Sequence, residues 1–262
     1  MPVADPVEVM PMFMDAFRKV NWAVCLKVVL IENLKFYREN GLRVRISDIV
    51  QGQDFREVLM EAAELPPVGL PVGDIIRNLR GAMDAAVSAI YRAQGKNENQ
   101  AYWVFGEDTA SLQGALKGSL DKVGLDRLSN FFLDVVPSTR DQNFLLWGMN
   151  QIDRANKHRN IAVVVTSAFV TEPSFVSDDG VTSMISFNNR TLLEPGQGRL
   201  FRIPAGAIID TSSDAEPSLS VTFGQTEVFS GKDVLAVIDQ LIDLVMDAIK
   251  KLQIAYVSAY PS

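Results

Sequence analysis

The only histidine of the chain, His158, falls in the run FLLWGMNQIDRANKHR at residues 144–159, with Arg154, Asn156, Lys157 and Arg159 around it. Cations beside an imidazole lower its pKa, which keeps the ring neutral and able to take a proton near neutral pH. The planar guanidinium of arginine matches the oxygens of a phosphate. One chemistry these residues support is therefore general-base attack on a phosphate ester, with His158 as base and Arg154 and Arg159 stabilising the charge. A structural use fits as well. In a helix, Trp147, Gln151, Arg154 and His158 share one face, and cations in the last turn satisfy its free carbonyls. A second polar set, Asn78, Arg80 and Asp84, lies in GDIIRNLRGAMDAAV at residues 73–87. Together with Asn156 and Lys157 it forms a candidate binding group.

Several chemistries have no residues to carry them. The chain lacks a GxxxxGK[ST] phosphate loop, a GxGxxG turn after a strand and a GxSxG nucleophile elbow. One histidine and one cysteine make a zinc site improbable, and no cofactor is expected. The Asp178-Asp179-Gly180 tripeptide lacks the spaced ligands of a calcium loop and is expected to be a turn. Cys25 rules out an internal disulfide, and its apolar surroundings suggest an inert core position. A net charge of −7 disfavours broad nonspecific binding to DNA or to an anionic membrane, while a local site for RNA or a phosphate ligand stays open. Homo-oligomerisation also stays open. The most apolar run, residues 22–34, is broken by Lys27 and Glu32 and falls short of the about 20 residues that span a bilayer. No targeting segment stands out, so the expected location is the cytoplasm.

Four long helices must position these residues. Residues 12–39 repeat Phe13, Phe17, Val20, Val24, Val28, Ile31 and Leu34 at helical spacing. Residues 71–93 form the second, with Ile76, Leu79, Met83 and Ile90 on its apolar face and Asp74, Arg77, Arg80 and Asp84 along the other side. The third covers 139–158, with Ser138 or Thr139 as N-cap, and the last runs over 231–256 behind Ser230. Shorter helices are expected at 109–122, capped by Asp108 or Thr109, and at 125–136. Alternation over 42–50 suggests a strand, and 55–65 leans the same way. From residue 161 the chain is β-branched and broken by turn formers, giving further strands up to 229. The expected fold is a single α+β domain over 1–262. Its helix-rich part covers 1–160 and its β-rich part 161–229. The C-terminal helix, 230–258, returns to the helical layer, and the bundle packs with a mainly antiparallel β-sheet formed largely by 161–229.

The segments at 73–87, 102–108 (YWVFGED) and 145–160 (LLWGMNQIDRANKHRN) resemble a family of uncharacterised bacterial proteins. That family carries a GDxxHNLRxxLDH helix, a short aromatic strand and a later LWxLNxxDKHR helix. Asn78, Leu79, Arg80 and Asp84 match the first motif; Lys157, His158 and Arg159 match the second. Two family histidines are replaced here by Arg77 and Ala85, and the DKHR aspartate by Asn156. A weaker resemblance is to the HEPN class of helical-bundle nucleases, which place four to six residues between an arginine and a histidine near a helix end. Arg154 and His158 enclose three.

The first functional expectation is a non-catalytic binding or assembly protein in which an Arg/Asp/His network joins two core helices. The alternative is a HEPN-like ribonuclease, or another enzyme acting on phosphate esters, that uses His158 with nearby arginines. A small-molecule pocket near Trp103, Trp147 and Phe201 is a third.

Overall fold

The computed structural model describes residues 11–46, 55–63, 68–156, 163–170, 174–176, 182–184, 196–204, 208–209, 217–224 and 228–261. Its body is made of helices. α1 (Met14–Gly41), α2 (Gly69–Ala93), α3 (Thr109–Gly118), α4 (Phe144–Asn156) and α5 (Val234–Ala259) bury their apolar faces against one another. α2 is central. Its residues Ile75, Ile76, Leu79, Met83, Val87 and Ile90 are sealed from solvent, and it packs against α1, α4 and α5. Lys27 of α1 pairs with Asp239 of α5 across the bundle. Among the described residues no helix is long and apolar enough to cross a membrane.

The expected α+β fold, with a mainly antiparallel sheet built from 161–229, is overturned. Most of the described residues are helical, and their strands fall into separate short strips, so the described part is mainly helical. The remaining pairing is short and divided. β1 (Leu42–Ile46) and β2 (Phe55–Ala62) join β6 (Gly196–Pro204), β3 (Val163–Val170) joins β8 (Pro217–Phe223), and β5 (Thr182–Met184), β4 (Ser174–Val176) and β7 (Ile208–Ile209) form a third strip. Strips of two or three short strands offer no layer wide enough to back a bundle. At the end of β8, Val221 and Phe223 are buried in the core.

Local details also differ from expectation. Residues 125–136 are not one helix; they make a 3₁₀ turn at Asp126–Leu128 and a π-helical turn at Phe131–Val135. The wider turn lets consecutive Phe131 and Phe132 both point inward, where they meet Trp103 edge-on at centroid distances of 5.8 and 5.0 Å. α4 begins at Phe144, not at 139, because Asn143 accepts the Leu146 N–H at 3.2 Å. Its expected end at 157–158 lies outside the described residues. α5 is capped by Asp233, which accepts the Ala236 N–H at 2.8 Å, in place of Ser230. Cys25 is exposed, contrary to its expected core position.

α1 shows why periodicity misled. Phe13, Phe17, Val20 and Leu34 are buried as expected, but Val24, Val28 and Ile31 face outward while Ala23 and Leu30 turn inward. Apolar residues occur all round this helix, so spacing alone does not select its core face.

The start of α5 is tied to α4 by a close approach at Gly148. The turn before α5 folds back on β8, with the Gly231 N–H bonded to the Phe223 carbonyl and the Phe223 N–H to the Lys232 carbonyl, both at 3.0 Å. Phe229 sits there with φ of 61°. A β-carbon on Gly148 would come within 2.7 Å of Phe229 Cζ and of Val228 Cγ1. Gly148→Ala should therefore destabilise the protein by about 1–2 kcal/mol. Overpacking of about 1–3 kcal/mol outweighs the up to about 1 kcal/mol of helix propensity that alanine adds. Urea unfolding with an unchanged slope and a lower midpoint is the expected result.

Candidate functional site

Arg80 projects from the middle of α2 toward α4 and the segment 101–107, and its side chain is 13% exposed. Each of its three nitrogens donates to the protein. Nε reaches Asn150 Oδ1 on α4 at 3.1 Å, Nη1 pairs with Asp84 one turn along α2, and Nη2 reaches the Trp103 carbonyl at 3.3 Å. The guanidinium also lies over the Phe105 ring, 4.8 Å from its centroid. Asp84 closes the loop by accepting the Trp103 N–H at 2.8 Å. One cation thus joins two helices and an extended segment.

That segment is held from its other side as well. The indole N–H of Trp103, a fully buried side chain, donates to Ser138 Oγ at 2.8 Å. Gly106 pairs with the segment before α4, its N–H bonded to the Ser138 carbonyl at 3.1 Å. A β-carbon at Gly106 would lie 2.5 Å from the Leu112 nitrogen, so only glycine fits between this segment and α3. α3 itself begins at a reciprocal cap in which Asp108 accepts the Ser111 N–H at 2.7 Å and Ser111 Oγ accepts the Asp108 N–H at 3.0 Å. Hydrogen bonding to the carboxyl, from the Ser111 N–H first and the Ser111 side chain second, holds Asp108 below its ordinary pKa.

A cleft of about 400 Å³ opens beside this network. Tyr102, Phe105 and Trp147 give it aromatic walls, and Arg80, Gln151 and Arg154 give it polar edges. Gln151 donates to Glu107 across the cleft at 3.2 Å. Arg154 is exposed. Trp147 is 8% exposed, with Arg140 stacked 5.3 Å from its ring centroid. Its Nε1–H is buried and finds no acceptor among the described residues.

The structure brings together Arg80, Asp84 and Arg154 of the expected site. Arg80 and Arg154 line the cleft, and Asp84 braces Arg80. Asn78 takes no part in the network; its amide donates to the Asp74 carbonyl on its own helix at 2.8 Å. Asn156 is the last residue of α4. Lys157, His158 and Arg159 lie outside the described residues. Sequence reasoning overlooked Asn150, Phe105 and Glu107 as site residues, although all three belong to segments singled out by resemblance, and read Ser138 only as a candidate N-cap. Among the described residues no group of three or more His, Cys, Asp and Glu side chains is placed to hold a metal ion.

No family model, curated protein or solved structure matches the chain.

Two outcomes are expected. Ser138→Ala leaves the buried Trp103 N–H without its acceptor and should cost about 1–3 kcal/mol. Arg80→Ala should cost about 2–3 kcal/mol by stranding Asn150 and Asp84, with Arg80→Lys a poor rescue because an ammonium lacks the planar fork. Denaturant titration of the three variants checks both. The Asp108 carboxyl titrates lower folded than unfolded. Its cap therefore contributes fully above the unfolded value, near 3.9, and the contribution is lost as pH falls through the lower folded value. Asp108→Asn should flatten the pH dependence of the unfolding midpoint in that acid range and leave neutral and alkaline slopes unchanged.

Proposed function

We propose that the protein works by binding, without catalysis, and that its ligand is a small planar molecule carrying a single carboxylate. The observation that carries this reading is the commitment of Arg80. All three of its nitrogens donate to protein acceptors, which makes it a strut between α2 and α4 and leaves Arg154 as the exposed cation of the cleft. Tyr102, Phe105 and Trp147 offer flat apolar faces to a ring. Arg154 offers a planar fork to a carboxylate. The net charge of −7 favours such a ligand over a polyanion. The cytoplasm is the location that goes with this proposal.

The competing reading is hydrolysis of RNA or another phosphate ester by His158 with Arg154 and Arg159. Titration of purified protein with 2-naphthoate, followed by tryptophan emission, separates the two. Saturable quenching is expected for the wild type. Arg154→Ala should weaken the affinity by about tenfold or more, the loss typical of one charge-assisted contact, with its unfolding midpoint unchanged. RNA cleaved by the wild type and spared by His158→Ala would overturn the binding proposal.

A further inference from the structure

The cleft beside Arg80 carries an open anion as well as an open cation. Glu107 lines it across from α4, and its Oε1 accepts the Gln151 amide at 3.2 Å. Arg154 follows Gln151 by three residues on α4, about 4.5 Å further along the axis and on the same side of the helix. Arg80, the other cation of the lining, is neutralised by Asp84. Among the described residues neither Glu107 nor Arg154 has an ion-pair partner, and the two do not pair with each other.

We infer that the ligand is a free aromatic amino acid, with its carboxylate on Arg154 and its ammonium on Glu107. This rests on the reading of the cleft as a carboxylate site and adds a second charge to it.

The backbone around Glu107 is held on both flanks. The Gly106 N–H donates to the Ser138 carbonyl at 3.1 Å, the Arg140 N–H donates to the Glu107 carbonyl at 3.3 Å, and Asp108 is fixed in its cap. With Oε1 steadied by Gln151, the carboxylate is a positioned acceptor for a charged donor. The aromatic walls do not compete for the ammonium. Arg80 already lies over Phe105, 4.8 Å from its centroid, and Arg140 over Trp147, at 5.3 Å, so a further cation at either ring would meet a like charge. Those rings and Tyr102, which is 46% exposed, are left to the apolar ring of the ligand. Spacing narrows the class further. Gln151 touches Glu107, and Arg154 lies one helical turn away, so the two charges of the ligand must be close together. In a free amino acid both are borne on one carbon, whereas the end residue of a peptide keeps only one of them. A lone carboxylate would also feel the repulsion of Glu107 with nothing to offset it.

Calorimetric titration of the full chain with L-phenylalanine, 3-phenylpropionate and L-phenylalaninamide tests the inference. The wild type is expected to bind L-phenylalanine about tenfold or more tighter than either analogue, the difference made by one charge-assisted contact. Glu107→Gln keeps an acceptor for the Gln151 amide and removes only the charge, so its unfolding midpoint should not move. In that variant L-phenylalanine should fall to the affinity of 3-phenylpropionate, which itself binds as well as before or better. Binding of 3-phenylpropionate as tight as that of L-phenylalanine to the wild type would overturn the inference and leave the carboxylate reading standing. Failure of both compounds to bind would overturn the two together. A Glu107→Gln variant that still prefers L-phenylalanine, or a wild type that binds L-phenylalaninamide equally well, would also overturn the inference.

Discussion

The burial of the Arg80 guanidinium is the constraint on which the arrangement around α2 depends. Taking that charge largely out of water costs several kcal/mol unless its donors are met. Here they are met by a carboxylate on the same helix, an amide on a second helix and a carbonyl on an extended segment. Each acceptor can be in place only if its element is in place. α2, α4 and the segment 101–107 are therefore positioned together, and Asp84 strengthens the coupling by binding both the arginine and the Trp103 N–H. Such a closed network adds less to net stability than its bond count suggests, because much of the gain offsets desolvation. Its larger effect is on uniqueness, since other dockings of the same apolar faces would strand a charge.

Close approaches reinforce that geometry where side chains would prevent it. Gly106 lets the extended segment lie against the first turn of α3, and Gly148 lets α4 meet the turn at Phe229. The π-helical turn at Phe131–Val135 turns two consecutive phenylalanines onto Trp103, whose indole nitrogen is already held by Ser138. On its Arg80 side the cleft is consequently bounded by groups that hydrogen bonds hold in place. Preorganisation of this kind lowers the cost of ordering a ligand site and suits recognition.

The long helices were legible in the residue pattern, whereas the single helix expected over 125–136 is not formed. α2 has an apolar stripe on one side and charges on the other, so its buried residues Ile76, Leu79, Met83 and Ile90 follow from spacing. α1 lacks that contrast, and its core face came out rotated, with Val24, Val28 and Ile31 outside and Ala23 and Leu30 within. The β-branched run after residue 161 signalled extended backbone correctly but suggested one sheet; nothing in a run of short apolar segments states which partner each one takes, and the pairing is divided among three strips. In the site, Arg80 and Asp84 stood out as charges on a helix side, whereas the roles of Asn150, Phe105 and Ser138 come from neighbours distant in the chain, which no local pattern states.

The types and spacing of residues are enough to specify long helices, the polarity of α2, a cap at Asp108 or Thr109 and the reservoir of polar groups near residues 80 and 154. These are local matters, decided within a turn or two by hydrogen bonding and side-chain periodicity. Which face of α1 is hidden, which strands pair, and which of the candidate polar residues meet are long-range matters. They depend on how several apolar faces and one buried cation are satisfied at once, and only the folded chain resolves that competition. It resolves it by enclosing Arg80 with Asp84, Asn150 and Trp103, and by leaving Arg154 at the mouth of the cleft and Trp22, Val29 and Phe36 on the surface.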